Sequence, residues 1–168
     1  MIGFFYRGKL MPKFLISACL AGESVRYDGK HCLNTTLKSL LESGQAIMIC
    51  PEVAGGLKIP RLPAEILGGD GHDVLADQAR VINVQGEDVT SEFILGAQKT
   101  LAFAQKHQVT HVVLKSHSPS CGSGQIYDGT FSGQKINGVG VTSALLQQHG
   151  FQLWTEHQFL EHLNTKTY

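Results

Sequence analysis

The sequence predicts an α/β protein with a Rossmann-like, three-layer α/β/α architecture, a mainly parallel sheet and a site at the carboxyl ends of the strands. Two observations predict this fold. Short apolar runs alternate along the chain with segments whose apolar residues recur at helical spacing. Glycine or proline ends several of these segments, at Gly44, Pro51 and Gly150. Such alternation is typical of parallel sheets that carry helices on both faces.

Five short apolar runs are predicted as strands, because Val, Ile, Leu and Phe predominate in them, as in strands buried on both faces. They cover residues 14–20, 46–50, 80–84, 111–115 and 151–155. Four segments are predicted as helices, residues 33–43, 90–107, 139–149 and 156–163. Two stretches without periodicity are predicted as loops, residues 51–71 and 116–138.

The helix over residues 90–107 has the clearest periodicity. Phe93, Ala97, Leu101 and Ala104 recur on one of its faces. Thr90 is a residue type that often caps helix N-termini, and we expect it to cap this one.

Length and composition indicate one globular domain, assigned to residues 11–168, with residues 1–10 as an N-terminal appendage before Met11. Hydrophobic residues make up 42% of the 168, which argues against both a disordered chain and a membrane protein. Fourteen Lys and Arg balance fourteen Asp and Glu. The chain therefore lacks the net positive charge with which many proteins attract nucleic acid.

The apolar run in front of Cys19 superficially resembles a lipoprotein cleavage site. Only Phe14, Leu15 and Ile16 are strongly apolar there, whereas a signal peptide needs about 7–15 such residues. We therefore expect a cytoplasmic protein with a buried strand at this point.

Three of the four cysteines follow predicted strands. Cys19 and Cys50 lie at the ends of the first and second strands, and Cys121 lies six residues beyond Lys115, which ends the fourth. Ligands of open α/β sheets bind beyond the carboxyl ends of the strands, so we expect the three thiols to converge there. Burial in the core is the ordinary explanation for any one of them. Cys32 lies at a predicted helix start and is interpreted as a spare cysteine.

Three thiolates from three loops suit two metal chemistries. An iron–sulfur cluster held by three cysteines keeps one iron open for substrate. A catalytic zinc ion also takes three protein ligands, but usually includes His or a carboxylate among them. No His lies beside these cysteines in a ligand spacing, which favours the cluster. A zinc-dependent hydrolase and a cysteine-based sensor of metal or redox state remain the alternatives.

The glycine-rich segment 138–143 matches part of a dinucleotide-binding fingerprint. It lacks a strand directly before it and an acidic residue about 20 positions later, so a nicotinamide enzyme is not indicated. We interpret the segment as a helix start, and we expect its N–H groups to face a ligand at the sheet edge.

A set of short motifs carries a resemblance to a known family. In chain order they are SACLAG at 17–22, RYDG at 26–29, CPEV at 50–53, PRLPAEI at 60–66, DVT at 88–90, SPSCG at 118–122, IYDGTFSG at 126–133 and GVGVT at 138–142. With these motifs, residues 14–156 resemble the bacterial thiouracil desulfidase family. Residues 1–10 and Cys32 fall outside the resemblance.

The resemblance implies a [4Fe-4S] cluster bound by Cys19, Cys50 and Cys121. It also implies an enzyme that hydrolyses the thiocarbonyl group of a thiolated pyrimidine, such as 2- or 4-thiouracil, to the oxo base and hydrosulfide without net redox change. The partner is then a small thiolated nucleobase, while thiolated tRNA stays an open alternative. No membrane partner is expected.

The loops around the cysteines supply the remaining candidate residues. Glu52 and Ser118 are predicted to be catalytic, because a carboxylate near the open iron can help water attack and a hydroxyl can donate a hydrogen bond. Turn formation is the alternative role for Ser118 and for the Asp-Gly pairs. The residues predicted to bind substrate are Ser120, Arg26, Tyr27, Asp28 and Asp128.

Overall fold

The computed structural model of the protein describes residues 13–23, 27–28 and 34–165. The strands are β1 (Phe14–Ser17), β2 (Ala46–Ile49), β3 (Ala64–Leu67), β4 (Arg80–Asn83), β5 (His111–Leu114), β6 (Gln125–Tyr127), β7 (Lys135–Asn137) and β8 (Gln152–Thr155). The α-helices are α1 (Thr35–Glu42), α2 (Pro51–Ala54), α3 (Gly71–Leu75), α4 (Thr90–Lys106), α5 (Val141–Gln148) and α6 (Glu156–Thr165).

A parallel four-stranded sheet forms the centre of the fold, in the order β2–β1–β5–β8. All four residues of β1 are buried, as expected for an inner strand covered on both faces. Helices α1 and α6 pack on one face, through Leu37 and Phe159. Helices α4 and α5 cover the other face, through Ala104 and Leu146. The predicted three-layer α/β/α architecture with a parallel central sheet is therefore confirmed.

Two antiparallel strand pairs lie outside the central sheet: β3 with β4, and β6 with β7. Strand β3 falls within the stretch predicted as a loop, and so does the β6–β7 hairpin. The strand predicted over residues 80–84 exists as β4, but it pairs with β3 rather than with a parallel neighbour. A separate apolar cluster, which includes Ile66, Val81, Phe93 and Val141, packs β3 and β4 against α4 and α5.

The structure corrects two local predictions. The first strand ends at Ser17, and Ala18–Ala21 form a 3₁₀ turn instead of continuing it. Thr90 begins α4 but does not cap it, since its hydroxyl oxygen accepts a hydrogen bond from the N–H of Val81 at 2.9 Å. The hydroxyl therefore ties the helix start to β4.

Some sequence-based predictions concern residues outside the described part of the chain. Residues 1–10, Arg26 and Cys32 belong to this group. Among the described residues, no helix is both long and apolar enough to cross a membrane.

Candidate functional site

A cavity of about 710 Å³ opens at the carboxyl ends of β1, β2 and β5. The sheet side of its lining comes from residues at and just beyond these strand ends, including Ser17, Cys19, Cys50, Lys115 and Cys121. The opposite side comes from the β3–β4 pair and the β6–β7 hairpin. The cavity lies where ligands of open parallel sheets normally bind.

Cys19, Cys50 and Cys121 all line this cavity. Cys19 lies in the 3₁₀ turn after β1, and Cys50 follows β2 as the residue that precedes α2. Cys121 belongs to the loop after β5 and is 5% exposed. In the structure all three are thiols rather than halves of disulfides. Three cysteines distant in sequence thus share one site.

The electrostatic environment of these thiols reflects their proximity. Burial raises the pKa of the Cys121 thiol far above its ordinary value, and the nearby Cys50, Glu52 and Cys19 raise it further. A hydrogen bond with Ser17 opposes this shift. Burial also raises the pKa of Cys50, although the Val53 backbone favours its thiolate. Without a positive charge nearby, this pocket disfavours the thiolate forms.

Glu52 lies in α2 and forms an ion pair with Arg61, whose guanidinium donates a hydrogen bond to the Glu52 carboxylate. The side chains are only 18% and 8% exposed, respectively. Both residues line the cavity beside Cys50. Arg61 also donates a hydrogen bond to the carbonyl of Lys58 at 3.3 Å. The pair therefore fixes a carboxylate at the thiol side of the cavity.

Ser118 lines the cavity and shapes the loop that carries Cys121. Its hydroxyl oxygen accepts hydrogen bonds from the N–H groups of Ser120 and Cys121, each at 3.1 Å. Ser120 is 1% exposed, and its hydroxyl is hydrogen-bonded to Thr142 at 2.9 Å. Among the described residues, the lining of the cavity does not include Ser120.

The start of α5 packs directly on this loop. The carbonyl of Pro119 accepts from the N–H of Val141 at 2.8 Å, and that of Ser120 accepts from Thr142 and Ser143. These N–H groups thus bind the Cys121 loop, and the prediction that they face a ligand is wrong.

The structure separates the other residues predicted to bind substrate. Tyr27 lines the cavity, whereas Asp28 is exposed and is not part of the lining. The Asp128 carboxylate accepts hydrogen bonds from the N–H and the hydroxyl of Thr130 at 2.9 and 2.5 Å. These bonds lower the Asp128 pKa and form a turn in the β6–β7 hairpin. Arg26 lies outside the described residues.

Several charged residues at the cavity were given no role by the sequence analysis. Lys115 is paired with Glu156 at 3.2 Å, and Glu156 also accepts hydrogen bonds from Ser116. Glu65 is buried in β3 and bonds to the distant β6–β7 hairpin. The partners of both carboxylates are 40 or more residues away in sequence. Local spacing therefore carried no signal for them.

Among the described residues, no three His, Cys, Asp or Glu side chains form a group that could hold a single metal ion. A catalytic zinc ion requires such a group. An iron–sulfur cluster distributes its cysteine ligands over different iron atoms. The arrangement of thiols along one cavity wall is compatible with the second kind of cofactor.

A family model described as 2-thiouracil desulfurase matches residues 14–158 of the chain. The chain belongs to this family. The resemblance that the motifs carry over residues 14–156 is therefore confirmed. In the 2-thiouracil desulfurase family, the matched region includes every described element except the last turns of α6.

Two similar proteins extend the comparison beyond the family model. The uncharacterized protein YbbK of Bacillus subtilis (strain 168) is 49% identical over 144 residues, which cover 86% of this chain and 95% of YbbK. A solved structure, the [4Fe-4S]-dependent thiouracil desulfidase TudS, is 43% identical and matches with a TM-score of 0.78. That match covers 89% of this chain and 94% of TudS. This member of the desulfurase family therefore has a TudS-like fold.

Proposed function

We propose that the protein is a desulfidase that hydrolyses the thiocarbonyl group of a small thiolated pyrimidine, such as 2- or 4-thiouracil, and that it uses a [4Fe-4S] cluster. One observation carries the proposal: three cysteines and a paired carboxylate line a single cavity in a chain that is 43% identical to TudS. Family membership supports the reaction type, and the donor set supports the cofactor.

The donor set fits an iron–sulfur cluster. Cys19, Cys50 and Cys121 supply three soft sulfur ligands, the ligand type that such clusters take from proteins. Burial and crowding make these thiols poor thiolates on their own, as the raised pKa of Cys121 indicates. Bound iron lowers the pKa of thiol ligands and so offsets this cost. When bound, the cluster supplies a soft Lewis acid for the thiocarbonyl sulfur.

Glu52 is the residue we assign to the attacking water. Its carboxylate lies at the cavity and accepts a hydrogen bond from Arg61 with one oxygen, Oε2. The pairing orients the side chain, and we assign the other oxygen to accept a proton from water. Arg61, with its side chain 8% exposed, holds the carboxylate in place. Ser118 is the second candidate, although its hydroxyl oxygen already accepts two backbone hydrogen bonds.

The proposed reaction is balanced without an electron donor. Water adds its oxygen to the thiocarbonyl carbon, the carbon–sulfur bond breaks, and the oxo base, hydrosulfide and a proton are released. Glu52 holds the proton during the attack and then returns it to solvent. The remaining proposed contacts are those of Tyr27 with the substrate ring and of Ser120, Arg26, Asp28 and Asp128 with its polar groups.

The direct test uses protein purified and reconstituted without oxygen. Incubation with 2-thiouracil or 4-thiouracil should give uracil and hydrosulfide in equal amounts, with no added reductant or oxidant. The cluster-free protein should give neither product. Turnover by zinc-loaded, iron-free protein would instead support the zinc hydrolase. Turnover of thiolated tRNA without turnover of either free base would overturn the proposed substrate class.

A further inference from the structure

The loop of the β6–β7 hairpin, residues 128–134, forms part of the cavity wall through Phe131 and Gly133. Three of its residues have a positive φ: 92° at Gly129, 56° at Phe131 and 81° at Gly133. Glycine adopts this conformation readily, but a bulky residue rarely does. The loop thus keeps an aromatic side chain at the cavity in a conformation that costs backbone energy. Such strain is common at functional sites.

Glu65 holds this loop from the neighbouring strand β3. Its Oε1 atom accepts hydrogen bonds from the N–H of Gly129 at 3.0 Å and from the N–H of Phe131 at 3.2 Å. Glu65 is 9% exposed and lines the cavity itself. A buried carboxylate is costly unless hydrogen bonds satisfy it. The two N–H groups therefore both satisfy the carboxylate and fix the left-handed turn at Phe131.

The backbone of the loop also lies tight against β3. A Cβ atom at Gly129 would lie 2.6 Å from the carbonyl oxygen of Ile66. The loop therefore cannot shift toward the strand, and Glu65 restrains it from moving away. The position of Phe131 at the cavity is defined from both directions.

Aromatic side chains surround this part of the cavity. Tyr27, Phe93 and Tyr127 line it together with Phe131. An aromatic face binds planar heterocycles by stacking, and it does so regardless of the hydrogen-bonding groups on the ring edge. A thiocarbonyl compound without a planar ring gains nothing from such a wall.

We propose that Phe131 is a specificity-determining residue, a stacking surface that selects planar heteroaromatic rings, and that Glu65 is its positioning residue. The identity of the ring as a pyrimidine rests on the proposed function. The selection itself is a property of binding and does not depend on turnover.

The test compares two ligands that differ mainly in planarity. Uracil and 5,6-dihydrouracil share their amide and carbonyl groups, but only uracil has a planar conjugated ring. Calorimetric titration of the anaerobically reconstituted protein should show that uracil binds about tenfold more tightly, within the range that stacking on one aromatic side chain contributes. Equal affinity of the wild-type protein for the two compounds, or binding of neither, would overturn the proposal.

Two variants of similar size isolate the ring at position 131. Phe131→Tyr retains an aromatic face and should keep the preference for uracil. Phe131→Leu replaces the ring with an aliphatic group and should bring the two dissociation constants to within about twofold of each other. A Phe131→Leu protein that keeps the full preference contradicts the assignment, whatever its melting temperature.

A second pair tests Glu65 without changing Phe131. Glu65→Gln keeps an oxygen that can accept both N–H groups and should retain the preference. Glu65→Ala removes the acceptor and should reduce the preference as Phe131→Leu does. Because both act on the same contact, combining Glu65→Ala with Phe131→Leu should cause no further loss. Full additivity, or loss of preference in Glu65→Gln as well, would show that Glu65 does not act through Phe131.

These outcomes separate this inference from the proposed function. A protein that prefers uracil through Phe131 yet never desulfurises thiouracil would refute the function and leave the stacking surface standing. A protein that desulfurises thiouracil, and in which Phe131→Leu keeps the preference for uracil, would refute only the stacking surface.

Discussion

The two sides of the cavity are built on different structural principles. On one side, the parallel strands β1, β2 and β5 end in register, and the three thiols follow those ends directly or within one loop. On the other side, the β3–β4 pair and the β6–β7 hairpin contribute charged and aromatic side chains from irregular segments. The first side is fixed by repeated backbone pairing, while the second is fixed by a few side-chain bonds, those of Glu65 and Arg61 foremost.

This difference suggests a division of roles. A sheet edge positions its residues with little dependence on any one side chain, which suits ligands that must hold a cofactor. Inserted segments change shape when a single bond is lost, which suits the part of the site that recognises substrate. Substitutions on the sheet side should therefore remove the cofactor, and substitutions on the inserted side should alter the use of substrate.

The largest effect should come from the thiols. Replacing Cys19, Cys50 or Cys121 with Ser should prevent stable cluster binding and reduce desulfidation to background, because a hydroxyl is a poor replacement for a soft thiolate. The visible absorbance of anaerobically reconstituted protein and its iron content measure this directly. Cys32→Ser is the matched control and should keep both colour and activity. A Cys121→Ser protein with full iron content would remove Cys121 from the ligand set.

The next effect sharpens the boundary between cofactor and chemistry at Glu52. The Glu52→Gln side chain keeps its shape but cannot accept a proton at pH 7. Turnover should fall about 10²–10⁴-fold, the usual contribution of general acid–base catalysis, while iron content stays unchanged. Single-turnover measurements on reconstituted protein check this. Near-normal turnover would exclude Glu52 as the base, and a colourless protein would assign it to cofactor binding.

A smaller effect tests how rigidly the Cys121 loop is held. A Cβ atom at Gly140 would lie 2.4 Å from the carbonyl of Ser120, so Gly140→Ala must displace the loop or helix α5. We expect a loss of about 2 kcal/mol in unfolding free energy, or roughly 4–8 °C in melting temperature. Gly124→Ala is the control, since nothing lies within 4 Å of its added Cβ atom. Equal melting temperatures for the two variants would contradict the close packing.

The smallest expected effect concerns Glu156, which supports the sheet end at Lys115. Burial alone would raise the pKa of this carboxyl, but its hydrogen bonds and the Lys115 ammonium lower it below the ordinary value. The ion pair therefore stabilises the fold above about pH 4.3 and loses this contribution as pH falls through the lowered pKa. Glu156→Gln should cost about 1 kcal/mol near pH 7 and progressively less in acid. Melting curves across this range check the trend, and a gap that widens in acid would contradict it.

The sequence was informative where the fold is regular. The carboxyl ends of the strands bring Cys19, Cys50 and Cys121 to one cavity because parallel strands end at the same edge, and apolar runs locate those ends. Strand β3 was missed because it lies between prolines and contains Glu65, which interrupts its apolar pattern. Strand β4 was found, but a four-residue apolar run does not specify an antiparallel partner. Pairs such as Glu65 with Phe131 depend on the tertiary fold and leave no periodic trace in the chain.

The contacts between the Cys121 loop and helix α5 have a mechanical consequence. The first turn of α5 ends in the carbonyls of Pro119 and Ser120, and the hydroxyl of Ser143 donates to the carbonyl of Cys121 at 2.9 Å. Thiol and helix are thereby joined into one lever arm anchored in the core through Leu146. A force applied at the sulfur atom is thus spread along two turns of helix and into the sheet behind it.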